Sequence, residues 1–317
     1  MYGFSVQEML FLDKHPKTQY NIIRISLEPE VCIMKVTIVA DSTCDLTKEQ
    51  IQENNIIILP LYVTMDEESR KDGLEITADE IFRYVDAGGA LPKTAAVTVS
   101  DFADCFSRIL KDAPDTEILC LTISSHFSSC FQNACIAAEE MNGKAVAVDS
   151  LNLSSGFGHV VLEACRLAKE GHSAIQIKHQ LETDIIPNVD ASFIIDRLDY
   201  LRKGGRCSTV AALGANLLRL KPCIEVRDGK MTVAKKYRGN FNKCVTQYVR
   251  DRLENCDAIR PQRIFITHAN AEDEAVSAAR SVIQEKNYFT EIDESRAGCT
   301  IASHCGPNTL GVLYIRK

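Results

Sequence analysis

The chain has 317 residues, enough for one large or two ordinary domains. Hydrophobic residues make up 45% and charged residues 25%, which is typical of a globular protein with a substantial core. The net charge of −7 argues against nucleic acid or an anionic membrane surface as an electrostatic partner.

The cysteines indicate neither a disulfide framework nor a metal site. There are 13 of them, scattered along the chain, and none forms a C-x-x-C pair. Several, such as Cys120 and Cys165, lie inside apolar patterns, where a thiol behaves as a small hydrophobe. We therefore expect a reduced, cytoplasmic protein. No stretch approaches ~18 consecutive apolar residues, so no integral membrane segment is expected.

Residues 1–34 are predicted to be an N-terminal extension. They lack the basic start and unbroken apolar run of a signal peptide, and no regular pattern organises them. Met34 directly precedes the first convincing strand. Two interpretations stay open: an over-extended start, with Met34 as the true first residue, or a genuine but loosely packed extension.

A strand, a polar turn and a helix follow one another three times between residues 35 and 172. The strands are predicted at 35–40, 117–123 and 144–148. This repetition predicts an α/β domain at 35–172, built on a parallel sheet with helices on both faces. The patterns between these units predict a strand at 56–64, a solvated hairpin or loop at 66–72, a helix from the capping box of Thr77 and Glu80 through Val85, an extended segment at 91–94 and a helix at 100–111.

The pattern changes near residue 172, where we place a soft domain boundary. Asp228-Gly229 between two apolar runs is a strong hairpin signal, and hairpins are mixed with crossover connections. Residues 173–317 are therefore predicted to form a second, smaller α+β domain. Its predicted elements are helices at 174–186, 209–219, 241–254 and 272–286, a short helix within 196–206, and strands at 190–195, 221–237 (two, as a hairpin), 263–267, 288–293 and 311–316.

The turn after the strand at 117–123 is rich in hydroxyl groups. It contains Ser124, Ser125, Ser128 and Ser129, and a helix begins directly after it. The free backbone amides of a first helical turn, together with the helix dipole, can bind an anion. In an open α/β sheet such turns lie where ligands usually bind. The alternative is that these serines are ordinary helix caps.

Five segments together resemble the DegV family of bacterial fatty-acid-binding proteins, which serve as substrate-binding subunits of fatty acid kinase. The resembling segments are DSTCDL at 41–46, PKT at 92–94, ISSHFSS at 123–129, DRLDYLRKGGR at 196–206 and HCGPNTLG at 304–311. Their order and spacing match from residue 35 to 317.

The resemblance implies a protein that holds a long-chain fatty acid in a closed apolar tunnel, which the second domain helps to close. It assigns the binding of the carboxylate to Thr94 and Ser125, with His304 in support. Arg206 and Arg238 would lie near the carboxyl end or face the partner, and Ser124 or Ser128 is the alternative donor if the turn is shifted. The implied partner is a separate ATP-dependent kinase, and the binding subunit itself has no catalytic activity, metal or cofactor.

Two rival functions remain. A serine-dependent lipid or ester hydrolase would use Ser125 or Ser128, His304 and one of Asp41, Asp45 or Asp149, but no G-x-S-x-G elbow is present. A sugar-phosphate or dihydroxyacetone-type phosphotransfer subunit would need a histidine at a strand end, for which His268 and His304 are the candidates.

Overall fold

The computed structural model describes residues 35–211 and 220–317. In the first half the elements are β1 (Val36–Asp41), α1 (Lys48–Glu53), β2 (Ile57–Leu59), β3 (Tyr62–Met65), β4 (Glu68–Lys71), α2 (Ala78–Asp86), β5 (Lys93–Ala95), α3 (Val99–Asp112), β6 (Glu117–Thr122), α4 (Cys130–Glu139), β7 (Ala145–Asp149) and α5 (Ser154–Lys169). In the second half they are α6 (Ala174–Gln180), β8 (Val189–Ile195), α7 (Leu198–Gly204), α8 (Ser208–Ala211), β9 (Leu220–Arg227), β10 (Lys230–Arg238), α9 (Phe241–Arg252), β11 (Ile259–Ala269), α10 (Asp273–Glu285), β12 (Glu291–Arg296), α11 (Cys299–Cys305) and β13 (Thr309–Arg316).

The predicted parallel sheet is confirmed. Its strand order is β2-β1-β6-β7, and every neighbouring pair is parallel. From β1 the chain first moves outward to β2, and after β6 it moves the opposite way to β7. Because such crossovers are right-handed, this reversal puts α1 and α4 on opposite faces of the sheet. The carboxyl ends of β1 and β6 therefore form a topological switch point, where α/β proteins usually bind ligands.

A second, six-stranded sheet has the order β10-β9-β8-β13-β11-β12, with only β11 and β12 parallel. Its two faces serve different cores, because side chains alternate along each strand. On β8, Phe193 packs in the core shared with the parallel sheet, and Ile194 packs in the core under α9 and α10. The mixed α+β character predicted for the second half is thus confirmed. The boundary near residue 172 stays a prediction, and the shared core takes residues from both sides of it.

Helix α5 lies between the two sheets. It contacts β1 of the parallel sheet and β8, β11 and β13 of the other sheet. Twelve of its residues are buried, including His159, whose Nε2 lies 3.0 Å from the carbonyl oxygen of Leu313. Burial lowers the pKa of His159 to about 4, so this ring is a neutral core residue.

Several predicted elements need correction. The single strand at 56–64 is wrong, because Pro60 divides it into β2 of the parallel sheet and β3 of a separate sheet with order β4-β3-β5. The helix predicted at 174–186 ends at Gln180 and continues as π and 3-10 turns. Helix α11 was not predicted at all. The helix predicted at 209–219 lies largely outside the described residues, as do residues 1–34.

Candidate functional site

A cavity of about 320 Å³ lies at the switch point, beside the carboxyl end of β6. Strand β5, the serine turn and α11 border it, and most of its wall is apolar. The lining residues are Leu61, Thr94, Ala95, Ala96, Ile123, Phe127, Ser128, Ser129, Leu153, Arg206, Met231, Thr300, Ile301, His304 and Cys305. Larger clefts of about 400 and 560 Å³ exist elsewhere, but charged side chains dominate them and neither contains Thr94 or His304.

Thr94 and His304 form the polar end of this cavity. The hydroxyl oxygen of Thr94 lies 2.8 Å from Nε2 of His304, although the two residues are 210 positions apart. Nδ1 of His304 is buried with no hydrogen-bond partner among the described residues, and it faces Gly204. A proton on Nδ1 would be a buried donor without an acceptor, which is costly. The proton therefore belongs on Nε2, where His304 donates to Thr94 and leaves the threonine proton available to a ligand.

His304 is neutral at physiological pH. Burial lowers its pKa to about 4, and the positive charge of Arg206 acts in the same direction. The ring can therefore orient the Thr94 hydroxyl without adding a buried positive charge. Arg206 is exposed, and its Nη1 donates to the carbonyl of Gly204 at 2.7 Å. Gly204 has no room for a side chain, since an added Cβ would lie 2.5 Å from Nδ1 of His304.

Two buried carboxylates hold the start of α11, the helix that carries His304. Asp45 Oδ1 accepts from the Gly298 amide at 2.8 Å. Asp72 accepts from the Cys299 amide at 2.8 Å and from the Thr300 amide at 3.0 Å. Gly298, at the helix start, has no side chain that could cap these amides, so residues from distant segments supply the cap. The position of His304 thus depends on Asp45 and Asp72.

Burial dominates the electrostatics of the segment 41–46. It raises the pKa of Asp45 to about 8 and that of Asp41 to about 6, against hydrogen bonds that favour the charged forms. Asp41 accepts from the Thr43 side chain at 2.5 Å and from the Ile123 amide at 2.7 Å. It therefore ties the end of β1 to the start of the serine turn.

The hydroxyls of the serine turn have separate positions. Ser124 is buried, and its hydroxyl donates to the Gly229 carbonyl at 2.9 Å in the β9–β10 hairpin. The backbone amide of Ser125 lies 3.2 Å from both carboxylate oxygens of Asp149. Ser125 does not line the cavity, whereas Ser128 does. The choice between Ser125 and Ser128 as ligand donor stays a prediction, and the lining favours Ser128.

The sequence-predicted residues are thus only partly brought together. Thr94, His304, Arg206 and Ser128 border one cavity. Arg238 lies at the exposed end of β10 and does not line that cavity.

A second, smaller cavity of about 30 Å³ adjoins the first and shares Leu153, Ile301 and Cys305 with it. It lies against the six-stranded sheet, where Phe193 and Leu313 contribute to its wall. The apolar space thus extends away from Thr94 and His304 towards the core between the two sheets.

Sequence reasoning missed Asp72 and Thr300. Asp72 follows the hairpin strand β4, where a carboxylate before a glycine is an ordinary turn signal. Thr300 belongs to the unpredicted helix α11. Neither residue carries a local signal, because Asp72 caps α11 and Thr300 lines the cavity only once distant parts of the chain come together.

Residues 35–211 and 220–317 contain no assembled site for either rival function. A serine hydrolase needs the histidine bonded to the serine and a carboxylate on its other nitrogen. His304 is bonded to Thr94 instead. Asp41 and Asp45 bind amides elsewhere, and Asp149 binds the amides of Ser125 and Leu151. For the phosphotransfer reading, His268 is buried, with Nδ1 accepting from the Ala271 amide at 3.3 Å.

Within the described ranges, no group of three or more His, Cys, Asp or Glu side chains could hold a metal ion. In the same part of the chain, no helix is both long and apolar enough to span a bilayer.

Fold and site together define a class: a two-sheet α/β protein whose apolar cavity, at a switch point, ends in neutral hydrogen-bond donors. The chain belongs to the DegV family. The model of that family of uncharacterised proteins matches residues 35–317.

Individual relatives support the same family assignment. A DegV domain-containing protein of Clostridium acetobutylicum is 36% identical over 284 residues, which cover 89% of this chain and 99% of that protein. A fatty-acid-binding DegV family protein from Thermus thermophilus superposes with a TM-score of 0.82 at 31% identity, covering 90% of this chain and all of that one. A stearic-acid-binding protein from Eubacterium ventriosum gives a TM-score of 0.76 at 27% identity over 89% and 98% of the two chains. The family resemblance and the predicted fold class are confirmed, and solved relatives bind fatty acids.

Proposed function

We propose that this chain binds a long-chain fatty acid and presents its carboxylate to a partner ATP-dependent kinase for phosphorylation. The carboxylate lies at the Thr94–His304 end of the cavity, and the acyl chain follows the apolar wall towards the six-stranded sheet. The chain supplies binding and orientation, and the partner supplies the chemistry. The protein works in the cytoplasm, where the kinase has ATP.

The observation that carries this proposal is the neutral donor pair at the end of an apolar cavity. With the ring proton on Nε2, His304 donates to the Thr94 oxygen 2.8 Å away, and Thr94 keeps its own proton for the ligand. A neutral hydroxyl binds a carboxylate through a charge-assisted hydrogen bond without forming a buried ion pair. A volume of about 320 Å³ lies at the lower end of the ~300–1,000 Å³ usual for ligand pockets, and the adjoining cavity extends it. The solved relatives that bind fatty acids support the same ligand class.

Affinity and orientation are divided between the two ends of the ligand. Burying the acyl chain contributes about 0.8 kcal/mol per CH₂ group. A hydrogen bond to a charged group contributes about 1.5–3 kcal/mol. A long chain therefore dominates affinity, while Thr94 sets the position of the carboxylate.

The polar end of the cavity is also the end that a kinase could reach. Arg206 and Ser129 line the cavity and are exposed. We assign Arg206 to the carboxyl end of the ligand. Arg238, exposed and off the cavity, is assigned to the surface that contacts the kinase.

The direct test is to denature the purified protein and identify the released lipid by mass spectrometry. We expect a long-chain fatty acid in near-stoichiometric amount. Release of a sugar phosphate, or of no lipid from protein that also fails to bind added hexadecanoic acid, would contradict the proposal.

A second experiment tests whether this chain only binds the fatty acid while the kinase carries out the phosphorylation. With ATP alone, the loaded protein should form no acyl phosphate, and it should not turn over p-nitrophenyl esters. Adding the kinase should produce acyl phosphate. Arg238→Ala should keep the affinity for hexadecanoic acid but slow this step, with the exposed Arg250→Ala as the matched surface control. Ester turnover that disappears in Ser128→Ala would favour the hydrolase instead.

A further inference from the structure

Thr300 has a buried hydroxyl without a hydrogen-bond partner. It lies in the first turn of α11, where its backbone amide donates to Asp72 at 3.0 Å. The residue lines the cavity and is only 4% exposed. Its hydroxyl oxygen bonds to no atom of the described residues. Burying a polar group without a partner costs free energy, so this hydroxyl needs an explanation.

Three neighbouring buried hydroxyls have partners. Ser154 donates to Asp45 at 2.5 Å, Ser303 to the Cys299 carbonyl at 2.7 Å, and Thr309 to the Cys305 carbonyl at 3.0 Å. A valine has nearly the shape of threonine and would fill the place of Thr300 without an unpaired oxygen. The difference between Thr300 and these residues is that Thr300 borders the ligand cavity that also contains Thr94.

Thr300 stands one helical turn from His304. Residues four apart on a helix share a face, with Cβ atoms about 5–6 Å from each other. His304 in turn is bonded to Thr94, so both threonines flank the same histidine. Threonine has two populated χ1 rotamers in helices, and rotation between them moves the hydroxyl to a different side of the Cβ atom. A side chain that lines the cavity can thus turn its hydroxyl towards a ligand.

We propose that Thr300 is a second donor to the ligand's carboxylate: Thr94 binds one oxygen and Thr300 binds the other. This inference rests on the proposed function and names a residue of the same site. Two neutral hydroxyls would then hold both oxygens, with His304 between them. Binding of the ligand would then offset the cost of the unpaired hydroxyl in the ligand-free fold.

The test compares Thr300→Val with Thr300→Ser in delipidated protein, using hexadecanoic acid and hexadecane as probes. Thr300→Val should weaken hexadecanoic acid binding about tenfold or more, the range for a hydrogen bond to a charged group. Hexadecane, which has no carboxylate, should bind equally to both variants. The affinity of Thr300→Ser for hexadecanoic acid should stay within about threefold of that of the parent protein.

Thr300→Val should also raise the melting temperature of the ligand-free protein or leave it unchanged. Ser303→Ala is the matched control, and it should lower the melting temperature and leave the affinity unchanged.

A double-mutant cycle with Thr94→Val tests whether the two hydroxyls share one carboxylate. If the two hydroxyls bind the same carboxylate, the fold-change in affinity of the double variant should differ from the product of the two single fold-changes by more than about twofold. Fold-changes that simply multiply would overturn the inference, and so would equal affinity of Thr300→Val for hexadecanoic acid. If Thr300→Val does not fold, Thr300→Ala is tested instead, with bound hexadecanoic acid labelled with ¹³C at C1. The pKa of the bound carboxyl group should rise in this variant, because a hydrogen-bond donor to the carboxylate is lost. An unchanged pKa there would also overturn the inference. If the parent protein itself does not bind hexadecanoic acid, it is the proposed function that fails.

Discussion

The two ends of helix α11 are built differently. At its start, Asp45 and Asp72 satisfy three consecutive backbone amides, and both carboxylates have further hydroxyl partners. At its far end, His304 has one bonded and one unbonded nitrogen, beside the exposed Arg206. At the first end, buried carboxylates pair these backbone amides. The second leaves hydrogen-bonding capacity unused.

The residues of the family motifs thus have two kinds of role: those at the start of α11 stabilise the fold, and those at its far end border the cavity. The segment DSTCDL contains two acidic residues and no basic one, yet Asp45 holds the start of α11 and Asp41 holds the turn after β6. The polar end of the cavity is instead formed by a threonine and a neutral histidine. The following predictions, from the largest effect to the smallest, test this separation.

Asp72→Ala should have the largest effect, because it leaves the Cys299 and Thr300 amides buried without an acceptor. We expect the free energy of unfolding to fall by about 3–5 kcal/mol, with loss of fatty acid binding as His304 moves. Urea denaturation measures this change. The exposed Asp115→Ala should stay within about 0.5 kcal/mol of the parent protein. A stable Asp72→Ala protein with unchanged affinity would show that the start of α11 does not position the site.

Thr94→Ala changes the other end of the helix. It should lower the free energy of unfolding by about 1–3 kcal/mol, because Nε2 of His304 loses its hydrogen-bond partner. It should weaken fatty acid binding by about 1.5–3 kcal/mol, since one hydrogen bond to the carboxylate is lost. The acyl chain should still hold lipid during purification, while phosphorylation by the kinase should fail because the carboxylate is no longer oriented. Mass spectrometry of bound lipid and an acyl-phosphate assay measure the two effects. Complete loss of lipid from a folded variant would refute this division of labour.

Asp45 makes stability depend on pH. Its pKa rises from 3.8 to about 8 on folding, so the folded chain holds this proton more tightly than the unfolded chain does. The stabilisation is complete below pH 3.8 and is lost as the pH rises through about 8. The buried histidines His159 and His304, with pKa values lowered from 6.5 to about 4, are neutral in the folded chain and, above about pH 7.5, largely neutral in the unfolded chain as well. From about pH 7.5 to 8.5 the melting temperature should therefore fall in the parent protein.

In Asp45→Asn this decline should be much flatter, because the amide keeps the acceptor for the Gly298 amide and cannot ionise. Thermal denaturation across the pH series compares the two proteins. Parallel curves would mean that Asp45 does not carry the titration.

The smallest effect concerns the serine turn. Ser128 lines the cavity and Ser125 does not, so Ser128→Ala should reduce affinity for hexadecanoic acid by up to about 1 kcal/mol and Ser125→Ala by less. Isothermal titration on both variants measures this. The reverse order would restore Ser125 as the donor implied by the family resemblance.

Local patterns were enough to predict most of the fold. The capping box of Thr77 and Glu80 begins α2 as predicted, and Asp228-Gly229 forms the β9–β10 hairpin with both residues at positive φ. These signals act between residues close in the chain. Helix α11 could not be found in this way, because its N-cap is Gly298 and its capping carboxylates come from Asp45 and Asp72, more than 200 residues away.

The site residues, too, were predictable only where the signal lies within a short stretch of the chain. Thr94 and His304 were identified through the family motifs, and the hydrogen bond between them appears only when β5 and α11 are brought together. No spacing in the chain predicts that Thr300 faces the same cavity or that its hydroxyl is unpaired. The break between β2 and β3 was not predicted for a related reason, since the change of sheet at Pro60 depends on the pairing of β3 with β5.

The most direct measurement is a crystal structure of the protein with a bound fatty acid. A carboxylate oxygen within about 2.5–3.2 Å of the Thr94 hydroxyl, with the acyl chain running past Ile301 and Cys305, is the predicted result. A fatty acid seated in the charged cleft beside Asp149 and Arg227, with the Thr94–His304 cavity filled by protein side chains, would contradict the account.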